Sequence, residues 1–429
     1  MKRVIGLDFG TTNSALAVAE PGGASTLASF ESEEGEVSST FRSILYFSAE
    51  ERGADKRPLA VAGPDAIKRY LEADGKGRLI QSMKSHLSSR TFTQTNILGR
   101  YYTLDDLIAV IVRKLIEAAT RQFGDLGTSV VVGRPVHFSG ADDSDDDDFA
   151  LGRLRAALEK AGFEQVTFEF EPVAAAYRYE QKLDHDELVL IGDFGGGTSD
   201  FSLIRLGPTA KQKPDKQSNI LGNDGVGIAG DAFDSRIVMN VVAAKLGLGT
   251  HYNSMGKILP MPSWLYQRLG SWHHVSFLKE SQTIGMLANI KSLSIEPEKI
   301  EALLHIIRND LGYKLYRSVE RTKVELSDRD ISLFFFKDLP IEIKEKVRRL
   351  YFETWIEPEI SKIEKCVNRL LESCSVTPRD VDSVFLTGGS AFVPAVRRIF
   401  RQKFGADRLR GGEELTTVAR GLALRALEV

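Results

Sequence analysis

The sequence predicts an α/β protein of two duplicated halves, on two observations: its length and an internal repeat. A chain of 429 residues exceeds what one hydrophobic core usually organises, so two lobes or more are expected. Near the start, Val4-Ile5-Gly6-Leu7 leads into Asp8-Phe9-Gly10-Thr11-Thr12-Asn13-Ser14. Far downstream, Leu188-Val189-Leu190-Ile191-Gly192 leads into Asp193-Phe194-Gly195-Gly196-Gly197-Thr198-Ser199-Asp200. Each copy reads as a buried apolar strand, an Asp-Phe-Gly, a tight turn of small residues and a second strand. One hairpin used twice implies two homologous halves facing each other.

The remaining elements follow from periodicity. Leu104, Leu107, Ile108, Ile111 and Leu115 recur at helical spacing and predict a helix over Leu104–Phe123. Residues 129–138 read as a buried strand. The acidic run 142–148 reads as a solvated loop, its last acids favoured by the N-terminus of a helix over about 149–161. As a calcium loop it lacks the turn glycine at its sixth position. Residues 205–223 read as a long exposed connection. The stretch 231–336 reads as mostly helical, with a poorly patterned middle at 251–280 carrying Met255, Met261, Trp264 and Trp272. That middle is either a buried helical insertion or a partner-binding surface. Residues 340–371 predict one long amphipathic helix. A strand at 381–386, a turn at Thr387-Gly388-Gly389-Ser390, a helix from near Val393 and a closing helix over 415–427 complete the chain.

Composition narrows the function classes. Hydrophobic residues at 42% and charged residues at 27% are ordinary for a globular protein. The net charge of −3 gives no electrostatic ground for binding nucleic acid or an anionic membrane. No apolar stretch is long enough to span a bilayer, and the opening Met1-Lys2-Arg3 runs into Asp8 too soon for a signal peptide. Cys366 and Cys374 would lie about 12 Å apart on a helix, too far to bridge. They read as reduced thiols, so a cytoplasmic location is expected.

The glycine-rich turns carry the chemistry. Backbone N–H groups at such turns form an anion nest, and small residues let phosphate oxygens approach. Gly10, Thr11, Thr12 and Asn13 in the first loop, and Gly195, Gly196, Gly197 and Thr198 in the second, are therefore candidate phosphate contacts. Asp8 and Asp193, each at a strand end, can hold a hydrated Mg2+ through its waters, and the metal would neutralise phosphate charge. One such loop can be an ordinary hairpin turn. Two of them, with a third turn at Gly388-Gly389-Ser390, point to a nucleotide.

Other motifs fall away. The Asp-Phe-Gly triplets lack the His-Arg-Asp catalytic loop of protein kinases, and no P-loop is present. Gly225-Val226-Gly227-Ile228-Ala229-Gly230 matches the dinucleotide fingerprint. However, no acidic residue stands about 20 positions on, none occurring between Asp234 and Glu280, so it reads as a flexible turn into a helix at Asp231. The seven histidines form no spaced cluster, and the adjacent His273 and His274 point apart, so a zinc site is not expected.

Over nearly its whole length, least at 251–306, the chain resembles the nucleotide-binding domain of the DnaK-type, seventy-kilodalton heat-shock chaperones, and within them the short bacterial members. Asp8-Phe9-Gly10-Thr11-Thr12-Asn13-Ser14 is similar to that family's first phosphate loop, and 193–200 to its second. Glu171-Pro172-Val173-Ala174-Ala175-Ala176 resembles its first connecting helix, whose glutamate lies near the attacking water. Lys84 falls where the family has a lysine that reaches the terminal phosphate. Gly230-Asp231-Ala232-Phe233-Asp234 resembles the start of the second lobe's outer subdomain. Glu320, Lys323 and Ser327 resemble the adenosine-side helix, and Gly388-Gly389-Ser390 the adenosine loop. Phe392 stands where the family has an arginine that stacks on adenine.

The resemblance implies an actin-like ATPase fold, with ribonuclease-H-like duplicated lobes and a central nucleotide cleft. Lobe I is expected over 1–184 (core 1–39 and 127–184, outer part 40–126), completed by 413–429. Lobe II is expected over 185–412 (core 185–228 and 340–412, outer part 229–339). It implies ATP or ADP with Mg2+ as cofactors, Asp8, Lys84, Glu171, Asp193 and Thr198 as catalytic residues, and a nucleotide-gated switch. Within residues 1–429 no stretch resembles the acidic-hydrophobic linker or the peptide-gripping β-sandwich of the full-length chaperones, so client folding by their mechanism is not expected of this chain alone. A partner or client protein is expected through 251–280. The competing readings are a scaffold that holds nucleotide without turning it over, a small-molecule kinase, and a filament-forming protein of the same fold.

Overall fold

The computed structural model describes residues 3–427 apart from 23, 33–34, 36, 54–55, 74–75, 142, 181–182, 213–215, 271–274, 276–277, 310 and 411–416. Asp142, Trp272, His273, His274 and the first residues of the expected closing helix therefore lie outside the described residues. The chain is mixed α/β with several sheets. It divides into two compact units, the first made of Met1–Ala229, Lys362–Ala391 and Val396–Val429, the second of Gly230–Ser361 and Phe392–Ala395.

The first unit contains two sheets of one topology. In one, the strands run Gln165–Phe170, Ser129–Arg134, Val4–Phe9, Asn13–Ala19, Ser25–Leu27, with Phe41–Arg42 also pairing on Asn13–Ala19. In the other they run Leu409–Arg410, Ser383–Thr387, Glu187–Phe194, Ser199–Leu206, Ile220–Val226. Each repeated hairpin is antiparallel, and its first strand has a parallel neighbour on the other side. The internal repeat of the sequence is thus a repeat of whole sheet order. Glu187–Phe194 is buried at every position, as its continuous apolar run requires of a central strand covered on both faces.

Two helices fix the interior of this unit. Val173, Ala174, Ala175 and Ala176 of Glu171–Glu180, with Val418 and Leu422 of Thr417–Arg425, share one core with Val131 of the first sheet and Val189, Ile191 and Phe385 of the second. The alanines and Gly421 allow the helices to approach closely. A Cβ on Gly421 would stand 1.7 Å from the carbonyl oxygen of Ala174. The other face of the first sheet packs on Leu104–Phe123 and Ser144–Ala161.

The expected helix Leu104–Phe123 is present, opened by a capping box of Thr103 and Asp106. The next helix starts earlier than the apolar pattern indicates, at Ser144 rather than near Phe149. Most of the acidic run is inside it: Asp143 caps the helix by accepting the Asp146 N–H, and Asp145, Asp146 and Asp147 occupy its first turn. Unpaired helical N–H groups attract these acids. The expected strand at 129–138 ends at Arg134. The expected connection at 205–223 is shorter, because Ser199–Leu206 continues the hairpin and Ile220–Val226 returns beside it. Near the end of the chain, the strand is Ser383–Thr387, and the helices Pro394–Phe404 and Thr417–Arg425 follow.

The second unit corrects two helical expectations. Ile331–Asp338 and Ile341–Arg348 form an antiparallel hairpin, so the long helix begins only at Arg349 and runs to Ser373. Phe334, Phe336, Ile341, Ile343 and Val347 face inward, while Ile331, Leu333 and Phe335 face out. That is a period of two, which Ile341-Glu342-Ile343-Lys344 already displays in the sequence. Residues 251–280 are not wholly helical either. His251–Ser254 and Lys257–Pro260 form a second hairpin that turns at Met255, with Ser263–Gly270 helical after it. Met261 is buried, whereas Met255 is fully exposed and Ile258 largely so. Cys366 is buried, Cys374 half-buried, and neither is bridged. Among the described residues, no helix is long and apolar enough to cross a membrane.

Gly421 gives a test of this packing. An alanine in a helix ordinarily gains about 1 kcal/mol over glycine, but here its methyl would overlap the Ala174 carbonyl. Gly421→Ala is expected to destabilise by about 1–3 kcal/mol, read from urea midpoints. A more stable variant would refute the backbone contact.

Candidate functional site

The two hairpins present their loops in identical register. Phe9 pairs with Ser14 and Phe194 with Ser199, so Gly10–Asn13 and Gly195–Thr198 are equivalent four-residue turns. At Gly10 a Cβ would meet the Asn13 carbonyl oxygen at 2.1 Å, which restricts that position to glycine. Inside each turn the two hairpins differ. Asp8 stands opposite Ala15, whereas Asp193 stands opposite Asp200. The third glycine turn abuts the second loop: Gly388 has φ +87, and a Cβ there would stand 2.2 Å from the Phe194 carbonyl oxygen. The Ser390 hydroxyl donates to the Gly195 carbonyl at 3.4 Å.

Lys84 and Glu171 join these loops. Lys84 lies in the short turn Met83–His86 and Glu171 opens the helix Glu171–Glu180. Both are buried, and the ammonium donates to Oε1 of Glu171 at 2.5 Å. Burial pushes the Lys84 ammonium down, but the charges of Glu171 and Asp8 outweigh it and raise it net. Asp8 keeps some contact with water, yet burial first and the Glu171 charge second push its carboxyl up to about 7, against the pull of Lys84. Burial, Glu171, Asp8 and Asp200 hold Asp193 well above the usual carboxylate range. Asp200 is pushed up to about 7 by burial and Glu171, although the Thr198 hydroxyl and the Val136 N–H bond to it.

Asp8, Glu171, Asp193 and Asp200 all lie in electrostatic reach of the Lys84 ammonium, and the Arg134 guanidinium reaches Glu171 and Asp200 as well. Fully ionised, four carboxylates against one ammonium and one guanidinium sum to −2. In a poorly solvated site such an excess is unfavourable, and the carboxyls respond by holding protons. The chemistry that satisfies them is a cation. Among the described residues, no three His, Cys, Asp or Glu side chains converge closely enough to ligate a metal directly.

Other expected residues lie in the second unit, around a second buried ion pair. Lys323 bonds Asp234 at 2.8 Å and reaches the Gly230 carbonyl at 3.4 Å. Burial drives Asp231 up to about 6, with Asp234 and Glu320 adding to it and Lys323 opposing. Ser327 donates to the Lys323 carbonyl on the same helix. Phe392 is 43% exposed. Asp200 is the group that sequence reasoning did not single out. Its signal was the break in the repeat, an aspartate where the first hairpin has Ala15.

Residues 4–246 and 305–427 match the sequence profile of the family described as Hsp70 protein, leaving 247–304 unmatched. The chain is similar to the chaperone protein DnaK of Thermus thermophilus, at 26% identity over 99% of this chain and 61% of that protein. It is similar also to the DnaK of Thermosipho africanus, at 27% identity over 99% and 58% respectively, and to that of Gracilaria tenuistipitata var. liui, at 24% over 99% and 60%. The chain spans about three-fifths of the length of these relatives.

The raised carboxyls set a pH dependence. An acid whose folded-state pKa exceeds its unfolded value binds its proton more tightly when folded. Its stabilisation is complete below the unfolded value near 3.8 and is lost as pH rises through about 7. Asp200→Asn keeps an acceptor for the Val136 N–H but removes the titration. Between pH 5 and pH 8 this variant is expected to gain urea stability relative to the unmodified protein. An unchanged difference across that range would show that Asp200 is ionised throughout.

Proposed function

Because the chain belongs to the Hsp70 family, we propose that it binds ATP or ADP with Mg2+ and hydrolyses ATP, acting as a nucleotide-gated conformational switch. The proposed frame is the actin-like one, with lobes at 1–184 plus 413–429 and at 185–412 closing on a central cleft. The observation that carries this reading is the buried carboxyl excess beside three glycine turns, a site short of positive charge next to nests that attract anions. A metal-bound triphosphate satisfies both at once.

The residue roles follow from that match. Gly10, Thr11, Thr12 and Asn13, with Gly195, Gly196 and Gly197, offer N–H and hydroxyl donors to phosphate oxygens. Asp8 and Asp193 hold the hydrated Mg2+, which when bound offsets phosphate charge. Lys84 shares its ammonium between Glu171 and the terminal phosphate, and Thr198 donates beside it. Glu171 or Asp193 orients the attacking water; at Glu171, a carboxylate already tied to Lys84 at one oxygen keeps the other to accept a water proton. Phosphoryl transfer asks for this sort of positioning and charge stabilisation more than for covalent chemistry. Gly230, Glu320, Lys323, Ser327, Gly388, Gly389, Ser390 and Phe392 are assigned to the adenosine end, with the Phe392 ring stacking on the base. The relatives named above are chaperones, and a chaperone-like role through a client or partner is part of the proposal.

A second reading is a nucleotide-holding scaffold with negligible turnover. The observation favouring it is the 247–304 segment, which falls outside the family match and exposes Met255 and Ile258 at a hairpin tip, a surface for a partner protein. Thermal stabilisation by ATP without phosphate release would select it.

Hydrolysis is tested by Asp193→Asn. Phosphate release from Mg-ATP is expected to fall by about 10²-fold or more, with a cooperative unfolding transition retained. An unchanged rate would refute the catalytic assignment.

A further inference from the structure

The segment that follows the strand Ser129–Arg134 is held by two buried carboxylates, those of Asp200 and Asp147. Val136 N–H donates to Oδ1 of Asp200 at 2.8 Å, and the His137 N–H approaches the same oxygen at 3.4 Å. From the acidic helix, Asp147 takes the Phe138 N–H on Oδ1 at 2.7 Å and the His137 ring nitrogen Nδ1 on Oδ2, also at 2.7 Å. Asp147 is 6% exposed and Asp200 1%. Since a carboxylate only accepts, the bond fixes the proton on Nδ1. The other ring nitrogen, Nε2, has no hydrogen-bond partner among the described residues, and the ring is about half exposed at 52%.

Position in the fold gives this arrangement a consequence. By the repeated sheet order, 135–139 is the first-sheet equivalent of the Gly388-Gly389-Ser390 turn. It runs beside the second glycine loop: a Cβ on Gly197 would stand 3.8 Å from Ser139 and 3.5 Å from the Ser85 hydroxyl. Ser139 is tied in turn to the segment after Lys84, its carbonyl accepting from Ser88 at 2.7 Å. Asp200, the acceptor of the segment's amides, is the cross-strand partner of Asp193 and adds to the charge that Asp193 meets.

We propose that Asp147 and His137 form a positioning pair, which holds 135–139 so that its amides fix Asp200 and, through it, Asp193 for turnover. The role belongs to Nδ1 and its bond to Asp147. Neither side chain need touch the nucleotide. Without the pair, the segment keeps its covalent path but loses its anchor to the acidic helix. Asp200 then loses its amide donors and Asp193 its fixed neighbour. This proposal rests on the ATPase reading above.

Isosteric replacement separates the two ring nitrogens. An asparagine side chain can place an N–H near the position of Nδ1, and a glutamine side chain near that of Nε2. Steady-state hydrolysis of Mg-ATP by the full chain is expected to show His137→Asn within about threefold of the unmodified kcat. His137→Ala, His137→Gln and Asp147→Asn are expected to lose about tenfold in kcat, with nucleotide KM unchanged and melting temperatures close to the parent. Rescue by glutamine instead of asparagine would overturn the proposal in favour of a direct role for Nε2. A normal kcat in His137→Ala and Asp147→Asn would overturn it outright, as would a loss that only tracks the folded fraction. Absence of turnover in the unmodified chain would sink the ATPase reading itself, and this role with it.

Discussion

The buried ion pair between Lys84 and Glu171 is the constraint on which the rest of the site depends. Lys84 is the cation that acts on Asp8, Asp193 and Asp200 alike, and it is already committed to Glu171 at 2.5 Å. A buried pair of this kind is held by geometry more than by net stability, because desolvation offsets most of the Coulombic gain. What it does provide is a fixed charge at the point where two distant hairpins converge. Around it the remaining carboxyls are left with too little positive charge, and that shortage is what a metal-bound phosphate can relieve.

The fold serves this shortage directly. Two sheets of one strand order each deliver a hairpin loop, and the helices Glu171–Glu180 and Thr417–Arg425 hold both sheets in a single core. Close contact at Gly421 fixes the helix that begins with Glu171. Chemistry and packing thus meet in one element: residues 173–176 fill the core while Glu171, at the same helix's start, faces Lys84.

Much of this was legible in the sequence, for physical reasons that can be named. The Asp-Phe-Gly hairpins were visible because central strands must be apolar and tight turns must be small. Lys84 and Glu171 were found by resemblance alone, since no local pattern announces an ion pair across 87 positions. Asp200 lies within the second loop's sequence, but its importance rests on cross-strand register with Asp193, which no local pattern displays. The hairpin Ile331–Asp338 and Ile341–Arg348 falls within stretches whose sequence also reads as helical. Its alternation was present, yet the surrounding run of charged and apolar residues also fits a helix when strand pairing is not considered. The pairing of His137 with Asp147 could not be read at all, as the acidic run looked like a solvated loop and only the early helix start buries Asp147.

The central claim, which extends the proposed function, is that carboxyls raised by burial in the free site would give up protons when a metal-bound nucleotide enters. Its most direct test is calorimetry of Mg-ADP binding near pH 6.5 in two buffers of different ionisation enthalpy, which counts protons as well as heat. Net proton release on binding, reduced in Asp8→Asn, is the predicted result. Binding with no proton exchange, or with uptake, would contradict the account, because the carboxyls would then already have been ionised or would remain protonated beside the ligand.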